Sequence, residues 1–205
     1  MKTLGVLCAV LCLAACSSQS GKPAEAEKPQ PKAPEIVTGR TAFQRMYIQA
    51  RGWARDAQPF RLESQSTADA KGRDGKADVW HAGFAAPSQR AVKPYVWSGT
   101  DASDAPSRGV SPGPEDSYSS SNANTQVFDI QFLKVDSDKA LEVAQKHGGD
   151  KVLAKDAELP VVYALDWNGR ENQLVWHVIY GTSRDSAKLK IAVNASTGEF
   201  LRVEK

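Results

Sequence analysis

Ala187-Lys188-Leu189-Lys190-Ile191-Ala192-Val193, then Asn194-Ala195-Ser196-Thr197-Gly198, then Glu199-Phe200-Leu201-Arg202-Val203, reads as strand, tight connector and strand. Leu189, Ile191 and Val193 alternate with Lys188 and Lys190, the period-two pattern of a strand with one buried and one wet face. Working backward, Val175-Trp176-His177-Val178-Ile179-Tyr180 and Pro160-Val161-Val162-Tyr163-Ala164-Leu165 supply two more strands. Before them Ser137 can cap a helix carrying Ala140, Val143, Ala144 and His147 at helical spacing, with Gly148-Gly149 as its stop. The C-terminal third is therefore a meander of antiparallel strands behind one helix.

The same order occurs upstream. Thr38 can cap a helix running to Arg51, with Phe43, Met46, Tyr47 and Ala50 on one face and Gly52 as its stop. Pro59-Phe60-Arg61-Leu62, Val79-Trp80-His81-Ala82-Gly83-Phe84 and Ala91 to Trp97 follow as strands, and Trp80-His81 echoes Trp176-His177. The alternation of Phe128, Ile130 and Phe132 places the counterpart of the last strand at Gln126 to Phe132. Residues 98–125, rich in Ser, Pro, Gly and Asp, read as a mobile insertion in place of the tight turn. Two blocks in one order at nearly one offset point to an internal duplication. The expected fold class is α+β: two tandem units, 37–133 and 134–205, each one helix packed on a short antiparallel sheet of three to four strands. Units this small have marginal cores alone, so they should lean on each other through Trp80 and Trp176, with Phe84 and Tyr180 as neighbours.

The N-terminus is of another kind. Lys2, the apolar run Leu4 to Leu13 and the small pair Ala14-Ala15 make an export signal over 1–15. Its apolar core is shorter than the roughly 20 residues a membrane-spanning helix needs. Leu13-Ala14-Ala15-Cys16 resembles the lipobox of bacterial lipoproteins, which implies acylation of Cys16 and cleavage before it. Cys8 and Cys12 would leave with the leader, so the folded part would hold no disulfide. Several acyl chains anchor where one is marginal. Ser17 and Ser18, in place of an Asp after the Cys, imply by the same resemblance an outer-membrane address facing the periplasm. Residues 16–36 hold the lipid anchor and a Pro/Ala/Lys/Glu-rich linker without a large apolar residue before Ile36, which reads as an extended tether.

In the C-terminal unit, Ser137-Asp138-Lys139-Ala140-Leu141-Glu142-Val143-Ala144, then Val175-Trp176-His177-Val178, then Val193-Asn194-Ala195-Ser196-Thr197-Gly198-Glu199, resembles a PepSY domain. That signature is a short Ala/Leu helix, a W-x-V strand and a closing V-D-A-x-T-G-E turn; Asn194 stands where the family has Asp, and either can cap the turn. The upstream unit lacks the Thr-Gly-Glu turn and is PepSY-like only through the repeat. The resemblance implies a binding module acting on other envelope proteins, peptidases among them. The tandem architecture also resembles exported β-lactamase-inhibitor-type proteins, whose paired sheets form a docking surface.

Reactive chemistry is sparse. With 26 Lys+Arg against 24 Asp+Glu, the chain has no global field to gather nucleic acid. His81 and His177 sit beside Trp in strands, and His147 lies in a helix's last turn, where a positive partner of the dipole is ordinary. No His-x-x-x-His spacing, complete calcium loop, Gly-x-Ser-x-Gly elbow or glycine-rich phosphate cradle is present, so no catalytic residue, metal or cofactor is expected. Asp136-Ser137-Asp138 reads as helix capping, and Asp69 to Lys76 as a solvated hairpin loop. Trp53 and Trp97, whose repeat partners Asp150 and Val193 are not aromatic, are the candidate binding residues. The expectation is a non-enzymatic lipid-anchored envelope protein that binds another envelope protein, such as a peptidase, by a sheet face or strand edge. The alternative is a small-molecule or glycan-binding lipoprotein using the cleft between the units.

Overall fold

The computed structural model describes residues 32–205. The signal peptide, Cys16 and most of the tether lie outside the described residues. The chain is mixed α+β, and most of it is one large antiparallel sheet. In chain order the elements are β1 (Val37–Thr38), α1 (Gly39–Trp53), β2 (Gln58–Gln65), β3 (Lys76–Ala77), β4 (Val79–Ala86), β5 (Ala91–Ser98), β6 (Gly109–Pro112) and β7 (Asp116–Ser117). They continue with α2 (Ser137–Ala144), α3 (Asp150–Lys155), β8 (Val161–Asn168), β9 (Gln173–Tyr180), β10 (Leu189–Asn194) and β11 (Phe200–Glu204). Spatial order is β11-β10-β9-β8-β2-β4-β5-β6, with β7 also on β5. β2 and β8 meet in the middle.

Strand alternation sorts side chains onto two faces. Leu62, Trp80, Phe84, Trp97, Leu165, Trp176, Tyr180, Ile191 and Val193 face the helices in one contiguous core. There α1 lies over β2, β4 and β5, and α2 over β9 and β10. Trp80 and Trp176 meet edge to face with centroids 6.5 Å apart, as the sequence pairs them. Each indole Nε1 donates to a carbonyl just ahead of a helix, Trp80 to Val37 and Trp176 to Val135. The two helix starts adjoin these rings: a Cβ on Gly39 would come within 2.7 Å of the Trp176 ring, so only glycine fits there.

Capping is shared rather than local. Thr38 makes no side-chain cap to α1, and Asp136, not Ser137, is the cap residue of α2. One oxygen of Asp136, Oδ1, accepts from Ser137 N at 2.7 Å and from Arg40 N at 2.9 Å, so a single carboxylate serves both helix N-termini. The Ser137 hydroxyl accepts from Gly39 N and donates to the Gly75 carbonyl.

The helix begun at Ser137 breaks at His147 and Gly148, the latter at φ +118°, where the Gly148-Gly149 stop is expected; a second short helix, α3, follows at once, so this half carries two short helices rather than one. A Cβ on Gly149 would clash with Tyr180 Oη, so only glycine fits that approach. Three further expectations need correction. Gln126 to Phe132 is not a strand: it follows a tight 3₁₀ turn at Ala123–Thr125 and ends in another at Ile130–Phe132. The strands that continue the sheet past β5 come instead from 98–125, whose β6 and β7 pair with β5. The loop of Asp69 to Lys76 is not free in solvent: Tyr163 donates its hydroxyl to the Gly72 carbonyl and Val161 N donates to Lys71 O.

Candidate functional site

Among the described residues, no helix covers the other face of the sheet. Its centre is the seam between β2 and β8, where the ladder is short: Arg61 pairs with Asp166, Leu62 with Leu165 and Glu63 with Ala164. Next along, the Ser64 hydroxyl replaces a ladder carbonyl by accepting from Tyr163 N at 2.9 Å. Because the strands stay joined for so few residues, hollows open at both ends. One, of about 710 Å³, is bordered by Gln65, Thr67, Lys71 and His81. The other, of about 480 Å³, is bordered by Phe60, Arg61, Asn124, Gln126 and Arg184. Both include Glu63, and a smaller hollow between them lies on Val162, Ala164 and Ile179. Together they form a trough along the seam. Val162, Ala164 and Ile179 are an apolar patch that Ala187 partly covers.

Beside the trough, His177 on β9 ties three strands and a loop. It is 6% exposed, with Nδ1 2.7 Å from Glu204 Oε2 on β11 and Nε2 3.1 Å from Asp166 Oδ1 on β8. The other oxygen of Asp166 accepts from Arg184 at 2.5 Å, and Arg202 joins Glu204 to Glu171. Burial favours neutral imidazole, but the two carboxylates outweigh it and hold the His177 pKa above its ordinary value. Burial likewise opposes the charge on Asp166 and Glu204. His177, with Arg184 at Asp166 and Arg202 and Arg184 near Glu204, still draws both below the usual carboxylate range. Both ring nitrogens are committed, so this histidine is not poised to take a proton from a substrate. His81, next to Trp80 as His177 is next to Trp176, faces Glu63 and contacts Gln65 Oε1 at 3.0 Å; burial lowers its pKa.

The sequence-derived candidates fall elsewhere. Trp97 is 2% exposed in the helix-side core, with the Arg45 guanidinium 5.0 Å over its ring. Trp53, half-buried at the end of α1, donates through Nε1 to Glu115 and lies under Lys93. The two rings do not converge on the trough. His147 stacks on Phe200 at 3.8 Å on the helix side. What sequence reasoning missed is the Asp166–His177–Glu204 array and Arg61. The available signal was the polar alternation of Arg61 and Glu63 between buried neighbours, which marks a wet sheet face.

Among the described residues no group of three or more His, Cys, Asp or Glu is arranged to hold a metal ion, and no helix is long and apolar enough to cross a membrane. Comparison with family models, with curated proteins and with solved structures finds no match.

Proposed function

We propose that this chain is a non-enzymatic binding module of the cell envelope, anchored through lipid on Cys16 at the outer membrane and docking another envelope protein, such as a peptidase, on its helix-free sheet face. The observation that carries the reading is the trough along β2 and β8, beside which His177, Asp166, Glu204 and Arg184 are engaged with one another rather than with a reacting centre. Two tandem units joined through their first strands, each with a helical layer on its own short sheet, account for this shape. Support for the duplication comes from the matched orders β2-β4-β5 and β8-β9-β10, and from Trp80 and Trp176, which bond equivalent carbonyls ahead of α1 and α2. The PepSY resemblance of 134–205 favours the same class of partner.

The test is capture of one envelope protein by the full chain. Glu63→Lys and Gln65→Lys on the trough should abolish capture at least tenfold, while Ile48→Lys on the outer side of α1, 70% exposed, should leave it intact. Capture indifferent to the trough changes, or sensitive only to Ile48→Lys, would remove the sheet face as the docking surface. Cys16→Ser should move the protein from the membrane to the soluble fraction; unchanged fractionation contradicts the anchor.

A further inference from the structure

We infer that Asp78 is a proton-operated latch: it carries a proton while the loop 66–75 is closed on the sheet, and loss of that proton loosens the first half of the loop. Asp78, between β3 and β4, is fully buried, and Thr67, Ser98 and Thr100 are buried with it in one polar corner. Its two carboxyl oxygens stand 2.9 and 2.8 Å from a single atom, Thr67 Oγ1. That hydroxyl has one hydrogen and two lone pairs, and Ala70 N already donates to it at 3.1 Å. An ionised Asp78 would set both oxygens competing for the one hydrogen, with a lone pair of Thr67 facing a negative oxygen. With a proton on the carboxyl every position is filled: one oxygen donates to Thr67, the other accepts from it, and Ala70 N takes the remaining lone pair.

The surroundings act in the same direction. Burial raises the Asp78 pKa above the usual carboxylate range; Thr67 and the residue's own N–H oppose this, and the carboxylates of Asp69 in the loop and Asp104 after β5 add to it. The cations of this corner are turned elsewhere: Lys76 on β3 to Asp74, Arg108 to Asp101 and Arg45 to Glu35. Asp78 therefore contributes stability fully present below the ordinary aspartate value near 3.9 and lost as pH rises through the folded value. The effect is local. Thr67 closes the near half of the loop, its N–H donating to Ala70 O, whereas the far half is pinned separately by Val161 N on Lys71 O and the Tyr163 hydroxyl on Gly72 O. Across the corner, Gly99 N donates to the Asp78 carbonyl and Thr100 Oγ1 to Asp69. Ser66, Thr67, Ala68 and Asp104 border the larger hollow, so the latch sets the shape of that wall.

The test is a pH titration of the isotope-labelled full chain, followed at the Asp78 carboxyl carbon and at backbone amides. The carboxyl midpoint should lie at least about one unit above the ordinary aspartate value of about 3.9. Protection of the Ala70 and Gly99 amides against hydrogen exchange should fall at least threefold as pH rises through that midpoint, while the Val161 amide, bonded to Lys71 O, keeps its protection. These two readouts need no variant and no docked partner. Asp78→Asn, whose amide donates to and accepts from Thr67 as the protonated acid does, should flatten the response and melt no lower than the parent chain at neutral pH. A carboxyl midpoint at or below the ordinary value, protection of Ala70 and Gly99 unchanged across it, or an Asp78→Asn chain that melts well below its parent at neutral pH would overturn the inference.

Discussion

His177 condenses how residue chemistry and sheet geometry meet. An imidazole between two carboxylates gives the fold a stability that depends on pH, with the sign set by each group. The raised His177 pKa contributes stability fully present below the ordinary histidine value near 6.5, and this is lost as pH rises through the folded value. The lowered Asp166 and Glu204 values contribute stability present above the ordinary carboxylate range near 4, lost as pH falls through the folded values. The array should therefore stabilise most between roughly pH 4.5 and 6.5. His177→Gln should cost about 1–2 kcal/mol in that window and less on either side. Thermal melts of both proteins across pH check this, and a difference independent of pH would contradict it. Sequence showed His177 in a strand beside Trp176. It could not show Asp166 and Glu204, because which carboxylates flank a strand residue depends on pairings with β8 and with β11 by way of β10.

At the scale of elements, the helices are held by one another's ends. Asp136 accepts from backbone amides of both α1 and α2, so Asp136→Ala should cost about 1–3 kcal/mol, more than one cap is usually worth. The check is hydrogen exchange: amides in the first turns of both helices should lose protection together. Loss confined to α2 would contradict shared capping. Helix and strand periodicities made α1, β2, β4, β5, α2 and β8 to β11 legible in outline. Two stretches are only partly legible, for physical reasons. Gly148-Gly149 does break the helix, but the chain turns helical again at once, and Gly149 is held to glycine by the approach of Tyr180 Oη. Phe128, Ile130 and Phe132 alternate like a strand, yet only Phe128 is buried. It docks at the end of β2, its N–H donating to Pro59 O, while Ile130 and Phe132 stay exposed. The edge of β5 was already taken by β6 and β7, strands too short and too Ser- and Pro-rich to announce themselves.

At the scale of the whole molecule, both halves share one sheet and one contiguous core. The Trp80 and Trp176 pairing could be inferred from the echo of Trp80-His81 in Trp176-His177. The joint could not, since edge-to-edge pairing of β2 with β8 joins distant segments without a local signal, and the trough follows from that joint. In-cell photo-crosslinking tests the docking face most directly. A benzophenone side chain is placed at Gln65 or Arg61 on the trough, or at Ile48 on the helix side, in the otherwise native full-length chain. The prediction is a discrete adduct with one and the same envelope protein from Gln65 and Arg61, and none from Ile48. An adduct from Ile48 with silence from both trough positions would contradict it.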